Sequence, residues 1–262
     1  TSLKNIFDYI DLFIIDNSDK DIGALNKLLE KLPNYKNITY INNKGNKGLD
    51  WSILSLINFA KNKSAKIWFL SDDDTLFLDE IIGFIEFVNN SISPVNLCKF
   101  DFKTKKDTKL VSKITSKIDA YKRSSFLPTV AIDPKNLEIE KLWKLCGTNY
   151  IHIAVINSLI TSCEEIKVYP NTIGIQTENK KLTFKIKDTF LEGYLKCLKW
   201  QNVLTTTQIT EETSKRIRGY LVAILKNKID ISREEFKLIE ILKLSASIYK
   251  FLGILHLIKL AP

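Results

Sequence analysis

Methionine is absent from this sequence of 262 residues, and histidine occurs only twice. A missing initiator is what a piece of a longer chain is expected to show. The four cysteines, Cys98, Cys146, Cys163 and Cys197, have no metal-type spacing, so a zinc-binding module is excluded. Three of them sit in apolar runs, as expected of buried free thiols in a reducing cytoplasm. No uninterrupted apolar run approaches the ~20 residues of a membrane-spanning helix, and no signal peptide is visible. What remains is ordinary for a soluble globular protein: 45% hydrophobic and 26% charged residues.

The positive net charge of +9 is uneven. The first hundred residues are mildly acidic in balance, whereas residues 99–123 and 181–262 hold the basic excess. Those basic segments lack a nucleic-acid motif and a stacking pattern of aromatics, so no nucleic-acid partner is expected. An anionic membrane surface suits them at least as well.

The chemistry concentrates in Lys66-Ile67-Trp68-Phe69-Leu70-Ser71-Asp72-Asp73-Asp74. A strand-like apolar run stops at three consecutive carboxylates, and a helix begins at Leu78. Adjacent like charges repel, so such a triplet at a strand end calls for a cation. Hard oxygen ligands favour Mg²⁺ or Mn²⁺, and Mg²⁺ is commonly shared between carboxylates and substrate phosphates. The plainer alternative is a solvated turn at a helix start.

Two further segments weigh on that choice. Tyr9 to Asp16 reads as a strand ending in acid, followed by Asn17-Ser18-Asp19 and a helix with Leu25, Leu28, Leu29 and Leu32 on one face. A short strand, Ile38 to Ile41, opens into Asn42-Asn43-Lys44-Gly45-Asn46-Lys47-Gly48, and the next helix carries Leu49, Ile53, Leu56, Ile57 and Ala60. Strand–helix alternation with apolar strands predicts an α/β sheet, mostly parallel, with helices on both faces. Ligands in such sheets bind at the carboxyl ends of strands, where all three segments fall.

In this order, Asp16-Asn17-Ser18, Asn43-Lys44-Gly45-x-x-Gly48-Leu49-Asp50 and Trp68 to Asp74 resemble the nucleotide-sugar half of a GT-A glycosyltransferase of family 2. The likeness is strongest to the abequosyltransferase-type branch of bacterial surface-glycan enzymes. It covers residues 1–100 well and 101–180 loosely. The resemblance implies a metal-dependent, inverting transferase of hexosyl or deoxyhexosyl groups. Its donor would be a nucleotide sugar, and its acceptor a glycan, lipid-linked or a lipopolysaccharide or capsule precursor. It implies donor contacts at Asp16, Asn17, Asn46, Gly48, Asp50, Asp72 and Asp73, and a metal pair at Asp72 and Asp74, with Asp73 facing the sugar as a catalytic residue. Lys44 and Lys47 are either solvated loop lysines or point charges for a phosphate. The family's opening strand is missing from residues 1–180, the expected catalytic domain.

The acceptor side of the resemblance falls on residues 142–152. Thr148 and Asn149 stand where a carboxylate base is expected, which leaves His152, flanked by Ile151 and Ile153, as candidate base and metal ligand. Its alternative is a packed core residue. Trp143 and Tyr150 are read as core residues or sugar-stacking rings. Residues 181–262 form an expected basic, helical C-terminal region with segments near 187–200, 211–229 and 232–259. Leu238, Ile241, Leu242, Ile248, Tyr249, Leu252 and Leu255 make an apolar stripe in the last one. That stripe packs on the sheet domain, on a second copy as a homodimer, or on the inner face of the cytoplasmic membrane. The alternative to an enzyme is a non-catalytic module that binds nucleotide sugars or serves assembly.

Overall fold

The computed structural model describes residues 10–17, 27, 37–70, 74–102, 113–114, 127–161, 166–176 and 193–225. Asp72, Asp73, Cys163, the expected helix after Asp19 and the apolar stripe of the tail lie outside them.

Two short strands open the described fold. β1 (Leu12–Asp16) and β2 (Ile38–Asn42) pair in parallel, with Asp16 opposite Asn42. Helix α1 (Leu49–Asn62) follows and buries Ile53, Leu54, Ile57 and Ala60, the expected apolar face. The expected strand into the acidic triplet is only β3 (Ile67–Trp68); β4 (Thr75–Leu76) lies just beyond the triplet, and α2 (Leu78–Asn89) starts where the sequence predicts. There follow β5 (Val95–Phe102), β6 (Lys113–Ile114), β7 (Val130–Ile132), the short α3 (Ile139–Leu142), α4 (Ile151–Ile160) and β8 (Ile166–Gln176). Beyond them come α5 (Tyr194–Leu198) and α6 (Thr206–Leu225).

Strands β3, β7, β5, β8 and β4 lie side by side in that order, with β6 also against β8. Among the described pairings, β1–β2 and β5–β8 are parallel, and the other four are antiparallel. The sheet is therefore mixed, with β8 joining a parallel partner on one side to an antiparallel one on the other.

The period of two along the strands sorts their side chains onto two faces. Leu97, Val130, Ile132 and Val168 enter one core with α1, α3 and α4. Cys98, Ala131 and Tyr169, their chain neighbours, enter a second core with Phe84 and Val88 of α2. Helices thus cover both faces, as expected of an α/β layer structure. α4 is buried on nearly every side, and α1 and α5 both lie against it. Each fully buried Ile or Leu there is worth about 1.5–3 kcal/mol of transfer free energy.

The first part of the expected C-terminal region belongs to the same core, because Tyr194, Cys197, Leu198 and Leu204 pack with α4. On the opposite face Phe84 meets Trp68 at 5.0 Å and Tyr169 at 5.6 Å, both edge-on, the favoured geometry for aromatic pairs. Gly83 faces Tyr169 so closely that a Cβ would collide with the phenol oxygen. α2 has no basic residue in its last turn; Lys66 supplies one from outside, its Nζ donating to the carbonyls of Val88 (2.6 Å), Asn89 (3.2 Å) and Ser91 (2.7 Å). Among the described residues, no helix is long and apolar enough to cross a membrane.

Candidate functional site

The parallel register of β1 and β2 brings their carboxyl ends together, and side chains then knit them. Tyr40 donates its hydroxyl to Asp16 Oδ2 at 2.7 Å, and Asn42 donates to the Tyr40 oxygen at 3.4 Å. Partial burial, the hydrogen bond and the charge of Asp16 raise the Tyr40 phenol above its ordinary value, which keeps it a donor. Asn17 is used on both sides: its Oδ1 accepts from Asn43 at 2.7 Å and its Nδ2 donates to Ser52 Oγ at 3.0 Å. Asn17 therefore braces the strand ends.

The loop after β2 is shaped by its own asparagines. Asn42 Oδ1 accepts from the Lys44 amide (2.6 Å), and Asn46 Oδ1 from the Gly48 amide (2.8 Å), two Asx turns in succession. The backbone is left-handed at Lys44 (φ 48°) and Gly48 (φ 85°), and Gly45 has φ 131°. Nothing would touch a Cβ at Gly48, so it is the backbone conformation that favours glycine there. The loop ends at α1, where Ser52 Oγ returns to the Gly48 carbonyl at 3.3 Å.

Asp50, expected to touch a donor, faces the other way. It is 2% exposed, and its carboxylate accepts from the Asn149 amide at 2.7 Å, from Thr148 Oγ1 at 3.1 Å and from the Ile151 amide at 3.1 Å. Burial raises its pKa, and the donors of the 147–151 turn pull against that rise. Asp50 thus reaches a ligand only through the elements it joins. Thr148 also contacts Cys197 Sγ at 3.3 Å; burial is the main cause that pushes that thiol up to about 12. The start of α5 presses on the same turn, where a Cβ on Gly193 would strike the Thr148 carbonyl.

His152 lies on the core side of its helix. The imidazole is 5% exposed on α4 and lines a small cavity with Ile53, Ile57, Phe69, Val130 and Ile132. Such burial is what the packed-core alternative expects of it. Tyr150 is buried too, with its ring 5.6 Å from that of His152, whereas Trp143 is 38% exposed.

Of the acidic triplet, Asp74 is described. Both of its carboxylate oxygens are shielded from solvent immediately before β4, at the edge of the sheet. A shielded carboxylate among neighbouring acids is a hard oxygen donor suited to Mg²⁺ or Mn²⁺. Among the described residues no group of three His, Cys, Asp or Glu could by itself hold a metal ion.

No family model and no curated protein matches the chain. Solved structures do. The chain resembles the crystal structure of S. aureus TarS 1–349 with a TM-score of 0.54 at 15% identity, over 81% of this chain and 62% of that one. Against the same TarS segment in complex with UDP-GlcNAc the TM-score is 0.57 at 14% identity, covering 81% and 64%. Against its complex with UDP the score is 0.54 at 14%, covering 91% and 71%. The fold is of the GT-A type. At these identities the likeness speaks for fold alone, and the chain spans roughly two thirds of the TarS segment. The ends of β1 and β2 and the Asn42–Gly48 loop lie at the carboxyl side of a parallel pair, the side where α/β sheets take ligands.

Sequence reasoning missed Tyr40, Ser52 and Thr148. Tyr40 was within reach, since an in-register parallel strand sets it two residues before the partner of Asp16. Thr148 was not, because it is 98 positions from Asp50.

Proposed function

We propose that the chain is a glycosyltransferase that moves a sugar from a nucleotide-sugar donor to a glycan acceptor with inversion, in the manner of family 2 and its abequosyltransferase-like branch. One observation carries this reading. The braced ends of β1 and β2, with the Asx-turned glycine loop beside them, occupy the ligand side of a GT-A fold whose solved neighbours include complexes with UDP-GlcNAc and UDP.

In this reading Asp16, held by Tyr40, meets the donor's base, and the Asn42–Gly48 loop brings backbone amides and glycine surface to the ribose and diphosphate. Asp72 and Asp74 would hold Mn²⁺ or Mg²⁺, and Asp73 would face the sugar. The metal, when bound, neutralises charge growing on the leaving diphosphate. With His152 enclosed, Asp73 is the catalytic carboxylate we assign, as acceptor base or as orienter of the sugar. The acceptor is a lipid-linked or surface-glycan precursor. The basic, apolar tail supports work at the inner face of the cytoplasmic membrane, alone or as a homodimer.

The test is turnover of UDP-sugars, UDP-GlcNAc first, measured as UDP released with Mn²⁺ present. Release that depends on Asp73 and Asp74 supports the enzyme. Tight UDP binding without release from any donor, with or without acceptor, would leave a nucleotide-sugar-binding module instead.

A further inference from the structure

The first turn of α1 carries two polar residues that face different parts of the site. Ser52 ties the helix start to the strand ends, through Asn17 at 3.0 Å and onward to Asn43 at 2.7 Å. Asp50, two residues earlier, ties it to the 147–151 turn through three donors. That turn carries Asn149 in the left-handed conformation (φ 59°) and feeds α4. Hydrogen bonds therefore run from Asn43 through Asn17 to Ser52, the first turn of α1 carries the link from Ser52 to Asp50, and hydrogen bonds run on from Asp50 to Thr148, Asn149 and Ile151.

We infer that Asp50 is a positioning residue, coupling the loop that receives the nucleotide to the turn on the acceptor side, so that filling the first sets the shape of the second. The identity of the ligand rests on the function proposed above; the coupling itself does not. A carboxylate suits the task because it accepts at both oxygens and from several donors at once, and charge-assisted hydrogen bonds are the stronger kind. Asparagine at the same place would turn an N–H₂ towards donors. Burial adds to the effect, since donors left unsatisfied inside a protein are costly.

A carboxylate that merely caps α4 would make the same three bonds but would not respond to the strand ends. Hydrogen exchange at the Asn149 and Ile151 amides separates the two cases, read on the full chain as wild type, Asp50→Asn and Ser52→Ala, each without ligand and with UDP. In Asp50→Asn both amides exchange about 10-fold faster or more, the scale of losing a charged acceptor. Ser52→Ala, which touches neither amide, accelerates them several-fold, and UDP slows them in wild type but not in Asp50→Asn. Wild-type exchange at both amides in Ser52→Ala reduces Asp50 to a local cap and overturns the coupling. So does UDP binding that leaves those amides unchanged. If UDP does not bind, the nucleotide reading fails, and the Ser52→Ala comparison alone decides the coupling. Should Asp50→Asn not fold, Thr148→Val takes its place, removing a single donor at nearly constant volume.

Discussion

The guanidinium of Arg216 lies over the Tyr194 ring, 3.5 Å from its centre, and joins α6 to α5. Tyr150 completes the contact, its ring 5.5 Å away and its hydroxyl accepting from Arg216 Nη1 at 3.4 Å. Glu212 accepts from the Tyr194 hydroxyl at 3.3 Å and stands 3.8 Å from Arg216 Nε. One cation on α6 thereby fastens the helix to the start of both α4 and α5. Arg216→Ala is expected to lower stability by about 1–2 kcal/mol, the worth of a half-buried cation–π contact and its packing. Arg216→Lys restores part of it, because an ammonium cannot stack as the planar guanidinium does. Urea unfolding measures both; an unchanged midpoint in the alanine variant means the stack is incidental.

The acidic triplet governs turnover in the proposed reaction. Asp74→Asn is expected to slow UDP release by about 10²-fold or more, the usual loss when one strong electrostatic contact to developing charge is removed. Excess chelator should do the same to the wild type, and Mn²⁺ should reverse it. Full activity in chelator defeats the metal-dependent scheme.

His152 is expected to contribute to the fold rather than to the chemistry. Replacing it with alanine enlarges an existing cavity among Ile53, Ile57 and Phe69. The expected cost is about 2–4 kcal/mol of stability, in the range of large-to-small core changes. UDP affinity of the protein that remains folded should stay within a few-fold of wild type. A variant of unchanged stability that has lost all turnover would return the imidazole to the active site.

Cys197 gives stability a pH dependence whose sign is fixed. Its thiol titrates near 12 in the folded chain and at about 8.5 when exposed. Between those values the folded state holds a proton that the unfolded state releases. Its contribution is therefore complete below about pH 8.5 and declines as pH rises towards 12, by up to ~1.4 kcal/mol per unit. Comparing wild type with Cys197→Ala by urea unfolding at pH 7.5 and 9.5 checks this: the gap should narrow at the higher pH. A gap that widens contradicts the buried, protonated thiol. Under native conditions the exposed Cys146 should alkylate well before Cys197.

Local patterns carried much of this architecture. The 3.6-residue spacing of Leu49, Ile53, Ile57 and Ala60 marked α1, and the apolar run into acid marked β3. Period-two sorting explains why Leu97 and Cys98 enter different cores, yet no pattern in β8 announces a strand parallel to β5 on one side and antiparallel to β4 on the other. Pairing direction depends on where distant segments land. The same limit hid the partners of Asp50, which lie about a hundred positions downstream, and it made His152 ambiguous. A histidine between two isoleucines reads alike whether the helix turns it to solvent or to the core. The burial of α4 on nearly every side shows that it is turned to the core.

Lys66 has a consequence for how this fold can change. Its amine joins the residue just before β3 to the Ser91 carbonyl, 25 positions on, closing a loop that contains the acidic triplet, β4 and the whole of α2. The loop is pinned at its base by this amine and, beyond the triplet, by the pairing of β4 with β8. Loss of this one lysine would therefore loosen the start of β3 and the end of α2 together, the two ends of the segment that carries the candidate metal pair.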